Sequence, residues 1–346
     1  MTNIYTLPQL GWQPFFQQQL TLDEWQLFTI ARIVALERSE IHVLTIHGKK
    51  SLSITPDMPA MTVGDWLLLD STGKYQRTLE RLSLFSRKAA GTKVKTQLIA
   101  ANIDTVFVVC SLNQDFNLNR IERYLVLANE AGVEPVVVLT KADCCDTPQD
   151  YVQRVQEANP LLEVVSVNSL DAASVSKLEA WCATGKTVAL LGSSGVGKST
   201  LINTLSGKTV QRTHSIREDD DKGRHTTTGR SLHLLPAGGL LLDTPGMREL
   251  QLADCEHGVE ETFTEISQLA RQCKFTDCQH QSEPGCAIRA AIDAGSIDER
   301  RLSSYLKLVR EQAFNTATLA EKRARDRDLG RYYRSVLAGK QLQNKE

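Results

Sequence analysis

The sequence contains no run of about 18 apolar residues, which excludes an ordinary membrane-spanning helix. Its first twenty residues, Met1 to Leu20, lack the basic start and apolar stretch of a secretory signal and are rich in glutamine instead. The chain is therefore expected in the cytoplasm, with no membrane partner. Its eight cysteines should not then be read as a disulfide framework. Neither sign of charge prevails. The 40 Lys and Arg are matched by 41 Asp and Glu, a net charge of −1 that leaves no chain-wide nucleic-acid footprint. Internal repeats and low-complexity tracts are absent as well, which sets aside repeat architectures. What is present is the composition of a globular protein, 41% hydrophobic and 23% charged. At about 150 residues per domain, 346 residues suggest two or three domains.

Patterning divides the chain into four parts. Residues 1–28 read as an arm with a short helix near 22–28. Residues 29–95 read as a small β-barrel, with strands at 31–36, 41–46, 50–54 and 66–70 and with Gly48, Gly64 and Gly73 between them. This part is mildly basic, and 86–95 reads as a linker. Residues 96–250 alternate buried strands (105–110, 135–139, 162–167, 187–191, 239–242) with helical spacing at 118–131, 150–158 and 174–182, the pattern of a parallel α/β sheet. Residues 251–346 carry helices at 259–270 and 298–321. From Arg300 onward, twelve Lys and Arg outweigh five Asp and Glu. Cys110 and Cys182 sit in apolar surroundings, and Cys144 and Cys145 in a polar loop.

The strand at 187–191 runs into Gly192, Ser193, Ser194, Gly195, Val196, Gly197, Lys198 and Ser199, followed by Thr200, and then an apolar-periodic helix. This is the phosphate-loop pattern in its required strand–loop–helix context. The glycines let backbone N–H groups turn inward around phosphates, and the helix N-terminus adds donors and dipole. Lys198 brings a cation to the β- and γ-phosphates, and the Ser199 hydroxyl suits magnesium.

Two further motifs turn a phosphate loop toward GTP. Asp243 ends an apolar strand and opens D-x-x-G with Gly246. A carboxylate there holds magnesium through water, and a glycine N–H senses the γ-phosphate. Thr140, Lys141 and Asp143 form T-K-x-D after another strand. The Asp143 carboxylate can accept two hydrogen bonds from guanine, whereas adenine offers no such donor pair. Ser166, at the end of a third strand, opens Ser166-Val167-Asn168-Ser169, a source of backbone contacts to the base. The order is unusual, because the base-reading motif precedes the phosphate loop. Between the loop and Asp243 lies Gly223-Arg224-His225-Thr226-Thr227-Thr228, where one threonine, taken as Thr227, would complete the magnesium shell. Met247 follows Gly246, and a thioether cannot orient water. His225 is the local candidate for that task, with an exposed loop histidine as the alternative.

Cys273, Cys278, His280 and Cys286 supply three sulfurs and one imidazole in fourteen residues. That is a full tetrahedral shell for a structural zinc, with no position left open for catalysis.

Taken in order, TKAD, GSSGVGKST, GRHTTT, DTPG and the cysteine–histidine cluster resemble the RsgA/YjeQ family, the circularly permuted GTPases of the small ribosomal subunit. The resemblance covers nearly the whole chain. It implies an N-terminal OB-fold barrel, a central permuted P-loop GTPase domain and a C-terminal α-helical zinc-binding domain. It also implies binding of GTP and GDP with magnesium, a partner in the small subunit and its rRNA, a role in late subunit maturation, and a monomer. It places the catalytic histidine at His225 and the zinc ligands at Cys273, Cys278, His280 and Cys286. Thr140 departs from the usual Asn of the base motif. The barrel is only mildly basic, with Trp66 and Tyr75 as its candidate RNA-stacking aromatics or as core. A nucleotide-gated RNA binder with little turnover, and a P-loop ATPase or kinase, remain the competing classes.

Overall fold

The computed structural model describes residues 5–88, 96–208, 231–243, 247 and 250–316. The expected switch residues His225, Thr227 and Gly246, and the basic tail past 316, lie outside these.

The arm is not loose. It carries α1 (Pro14–Gln17) and α2 (Leu22–Leu27). A reciprocal cap starts α2, in which Thr21 Oγ1 accepts from the Glu24 N–H and the Glu24 carboxylate accepts from the Thr21 N–H. Trp12 and Phe16 are buried and stack around Trp66, with ring centroids 4.9 Å and 5.7 Å away. Trp66 is thus core and cannot stack on RNA, and the Tyr75 hydroxyl lies 3.1 Å from Thr78 Oγ1.

Five antiparallel strands follow: β1 (Thr29–Leu36), β2 (Glu40–Thr45), β3 (Gly48–Ser53), β4 (Trp66–Leu69) and β5 (Tyr75–Thr78), paired in the order β3-β2-β1-β4-β5. Next come the paired strands β6 (Leu84–Lys88) and β7 (Thr96–Ala101), of which β6 takes the first three residues of the segment that reads as a linker. Consecutive polar residues, Ser86 to Lys88 and Thr96 to Gln97, break the alternation that would have marked them as a strand pair.

The central unit contains β8 (Thr105–Ser111), α3 (Leu118–Glu130), β9 (Glu134–Thr140), α4 (Pro148–Ala158), β10 (Glu163–Ser166), α5 (Ala172–Val175), β11 (Thr187–Leu191), α6 (Lys198–Ser206), β12 (Ser231–Leu234) and β13 (Leu240–Asp243). Every residue of β8 and β11 is buried, as strands covered on both faces require. Strands β10, β9, β8, β11 and β13 are parallel neighbours. The sheet is nonetheless mixed, a correction to the parallel sheet read from the sequence. Strand β12 runs antiparallel to β13, because a tight turn joins them, closed by Leu235 N–H donating to the Gly239 carbonyl at 2.8 Å. So short a connection permits no other pairing. Ser231 of β12 also pairs with Ala35 of β1, so one sheet runs from the N-terminal strands into the central unit.

Arg32 fastens this junction. Its buried guanidinium donates to the carbonyls of Leu10 (2.6 Å), Asn102 (2.8 Å) and Gly64 (3.4 Å) and lies over the Trp66 ring. Burial lowers its pKa to about 10, leaving it charged at neutral pH.

After the sheet come α7 (Glu256–Thr262), α8 (Thr264–Ala270), α9 (Ala287–Asp293) and α10 (Glu299–Thr316). One helix was expected across 259–270, but the chain leaves helical geometry at Phe263. The break buries the Phe263 ring against Tyr305, with Arg301 above it. Helix α7 packs directly on α3. A Cβ at Gly258 would collide with the Val126 carbonyl and the Glu130 backbone, so glycine sets the helix separation. Gly258→Ala should therefore destabilise the fold by about 1–3 kcal/mol, read as a lower urea midpoint with unchanged slope.

Candidate functional site

The parallel strands end along one edge, and the motifs follow those ends. Between β11 and α6, residues 192–197 form a loop that needs glycine. A Cβ at Gly192 would run into the Val109 carbonyl of β8, and Gly195 and Gly197 have φ of 79° and 93°. Lys198 opens α6 and is only 6% exposed. Its Nζ donates to the Gly192 carbonyl at 2.7 Å and to the Ser193 carbonyl, which centres the charge over the loop. Ser199 and Thr200 follow in the first turn of α6, both half-buried, and Ser194 is exposed at the loop surface.

Thr140 ends β9 and is fully buried. Its Oγ1 donates to the Val196 carbonyl at 2.6 Å and approaches the Cys110 carbonyl at 3.3 Å. One hydroxyl therefore joins the T-K-x-D segment to the glycine loop. Lys141 takes a left-handed backbone, φ 58°, and starts a short turn through Ala142–Cys144. The Ala142 N–H donates to the Val167 carbonyl at 3.2 Å, anchoring that turn to the chain after β10. Asp143 is exposed at the surface, and the Cys144 thiol donates to its Oδ2 at 3.5 Å. The carboxylate raises the Cys144 thiol pKa, so thiolate is scarce at neutral pH.

Ser166 stays within β10, opposite Leu139. Ser169 is the residue of that segment that reaches the loop. Its carbonyl accepts from Thr204 Oγ1 of α6 at 2.7 Å, and its buried side chain lies beside Gly197. The patterning that marked Ser166 located the strand end but could not show which of the following residues turns inward.

Asp243 ends β13, the strand beside β11, and is 7% exposed. Met247 is 2% exposed within the core that also holds Leu250 and Leu252, so its thioether faces away from solvent.

The four cysteine–histidine ligand atoms converge. Nδ1 of His280 lies 3.6 Å from both Cys273 Sγ and Cys286 Sγ, and these two sulfurs are 3.9 Å apart. All four atoms, Cys278 Sγ included, lie within 4.8 Å of one another. A tetrahedral zinc, with bonds of about 2.3 Å to sulfur and about 2.0 Å to nitrogen, spaces its ligands by roughly 3.5–3.8 Å, so the cage fits that ion. Burial holds the His280 imidazole below its ordinary pKa, which favours the neutral, ligating form. Cys286 caps α9, accepting from the Arg289 N–H, and Arg289 Nε donates to the His280 carbonyl at 2.9 Å. The cage is thereby tied to a helix start.

A family model described as RsgA GTPase matches residues 78–253. A small ribosomal subunit biogenesis GTPase RsgA 2 of Vibrio parahaemolyticus is 60% identical over 334 residues, which span 96% of this chain and 93% of that protein. The crystal structure of YjeQ from Thermotoga maritima aligns with a TM-score of 0.61 at 26% identity, over 82% of this chain and 98% of that one. That of YloQ, described as a circularly permuted GTPase, aligns at 0.60 with 21% identity, over 84% and 96%, a likeness of fold. The motif order, the mixed sheet and these matches together mean that this chain belongs to the RsgA GTPase family and has its circularly permuted GTPase fold.

Proposed function

We propose that this protein hydrolyses GTP when it binds the small ribosomal subunit, and that it acts late in that subunit's maturation in the cytoplasm, as a monomer. The observation that carries the nucleotide reading is the Thr140–Val196 hydrogen bond, which holds a base-reading segment against a phosphate loop across the end of β8. The subunit reading is supported by the Vibrio parahaemolyticus relative's name at 60% identity.

Each residue has a task in this reading. The exposed Asp143 carboxylate accepts from guanine, and the Lys141 stem lies along the base. Backbone groups of the 166–169 segment close the base pocket. The loop N–H groups from Gly192 to Thr200 cradle the phosphates, and Lys198 turns from its carbonyl partners to the β- and γ-phosphates. Ser199 and Asp243 offer the hard oxygen donors that magnesium prefers, and Asp243 sits at the end of the strand beside the loop. When bound with GTP, that ion neutralises phosphate charge. The burial of Met247 removes the side chain that follows Gly246 from any role in orienting water. That task passes to His225, with Thr227 as the switch ligand for magnesium.

The strand pairing β3-β2-β1-β4-β5 supports an OB-fold barrel over residues 29–95, followed by the GTPase domain to 250 and a helical zinc domain from 251. With Trp66 in the core, rRNA contacts fall to the barrel's basic side chains and the basic tail.

Turnover should rise strongly on adding purified small subunits, and the stimulation should fall between low and physiological salt. Unchanged turnover with GTP still bound would overturn the subunit as partner. Asp143→Asn should abolish the preference for GTP over ATP in competition binding. An unaltered preference would remove Asp143 from base reading. Thr140→Val keeps the shape but orphans the Val196 carbonyl, so GTP affinity should fall by about tenfold while Thr140→Ser retains it. Elemental analysis should find one zinc per chain. Stripping it with a chelator should lower the melting temperature, and Cys286→Ser should lower both zinc content and stability.

A further inference from the structure

Three consecutive residues of α3 join α10 at one end to the glycine loop at the other. Glu122 is 2% exposed and accepts from two arginines of α10: Arg300 through Nη2 (2.9 Å) and Nη1 (3.1 Å), and Arg301 through Nη1 (2.9 Å). Arg301 also donates to the Thr262 carbonyl at 2.8 Å and to Glu265 Oε1 at 2.7 Å. Arg123 donates to Glu311 Oε1 of α10 at 2.5 Å and to the Leu250 carbonyl at 3.4 Å, a few residues past the Asp243 strand. The Tyr124 hydroxyl lies 3.4 Å from Ser193 Oγ in the glycine loop. Residues about 100° apart around a helix point in three directions, so one rigid rod of 13 residues carries all three contacts.

We propose that Tyr124 is a positioning residue for the phosphate loop, and that α3 makes its placement depend on how the C-terminal helical unit is docked. The inference rests on Gly192–Ser199 being that loop. A buried carboxylate cannot leave its arginines without stranding charge, so α3 must follow α10 as a body. Arg123 adds a second grip on the same helix. At the other end, Ser193 is held from both sides. Its hydroxyl meets Tyr124, and its carbonyl accepts from Lys198 Nζ. A small shift of α3 therefore moves the serine that shares a hydrogen bond with the phosphate-binding lysine. A partner that presses on the Cys/His-bearing unit would reach the nucleotide by this route, without touching it.

The test is GDP release from the full-length protein, followed by stopped-flow with a fluorescent GDP. The variants are Tyr124→Phe, Ser193→Ala, Arg123→Gln and their pairs, with Lys198→Ala as control. Tyr124→Phe removes only a hydroxyl. It should speed release about three- to tenfold at an unchanged melting temperature. Ser193→Ala should add nothing further on that background. Arg123→Gln, away from the loop, should also speed release, and that effect should vanish once Tyr124 is Phe. Effects that multiply, as independent sites do, or a Tyr124→Phe rate equal to wild type, would overturn the relay. A variant that only melts earlier would show Tyr124 to be packing alone, which equally overturns it. Loss of binding in Lys198→Ala with Tyr124→Phe unaffected sinks the relay alone. Normal binding in Lys198→Ala would sink the loop assignment and the relay with it.

Discussion

The hydrogen bond from Thr140 Oγ1 to the Val196 carbonyl joins the T-K-x-D segment to the glycine loop. It is possible because β9, β8 and β11 are parallel neighbours, which brings their carboxyl ends to one edge. A parallel sheet does this whatever order the chain visits the strands in, and so the base-reading motif can precede the phosphate loop without altering the site. Thr140 replaces the usual Asn of the motif and still supplies a buried donor at the required point.

The units on either side of the sheet are joined to it by buried cations, and not by apolar contact alone. Arg32 gathers carbonyls from the arm, the turn before β4 and the residue after β7. Arg301 gathers Glu122, Glu265 and the Thr262 carbonyl where α10 meets α3. A buried guanidinium with every arm satisfied fixes orientation more narrowly than packed methyl groups do, because each lost hydrogen bond strands charge or a carbonyl. Both clusters sit where elements distant in sequence meet. This gives the fold defined relative positions at its two seams.

Much of the site was legible because its chemistry demands particular residues at short spacing. The glycine loop needs backbone N–H groups facing inward, and the cysteine–histidine cluster places four donors within fourteen residues, so both announce themselves locally. Fully buried strands such as β8 and β11 were equally clear as apolar runs. Strands β5, β6 and β7 were not, since adjacent polar residues (Gln76–Thr78, Ser86–Lys88, Thr96–Gln97) interrupt the alternation. Strand β12 was missed because SLHL is too short to show a period, and its existence rests on the hairpin with β13 and on Ala35 of β1. Trp66 could stack on RNA or fill a core as far as sequence tells, and the arm's Trp12 and Phe16 decide for the core.

The sequence by itself determined which motifs are present: a P-loop pattern, the T-K-x-D carboxylate, a strand-end aspartate and a Cys/His cluster that fits zinc, with the T-K-x-D motif before the loop. Each is local, set by residue type and spacing over fourteen residues or fewer. Only the tertiary structure decided which of these groups meet and what else meets them. Ser169 rather than Ser166 turns toward the loop, Met247 turns into the core, and Tyr124, which carries no motif, reaches Ser193 from a helix held by α10. Such contacts join residues tens to nearly two hundred positions apart. They arise from packing of whole elements, and no local pattern encodes them.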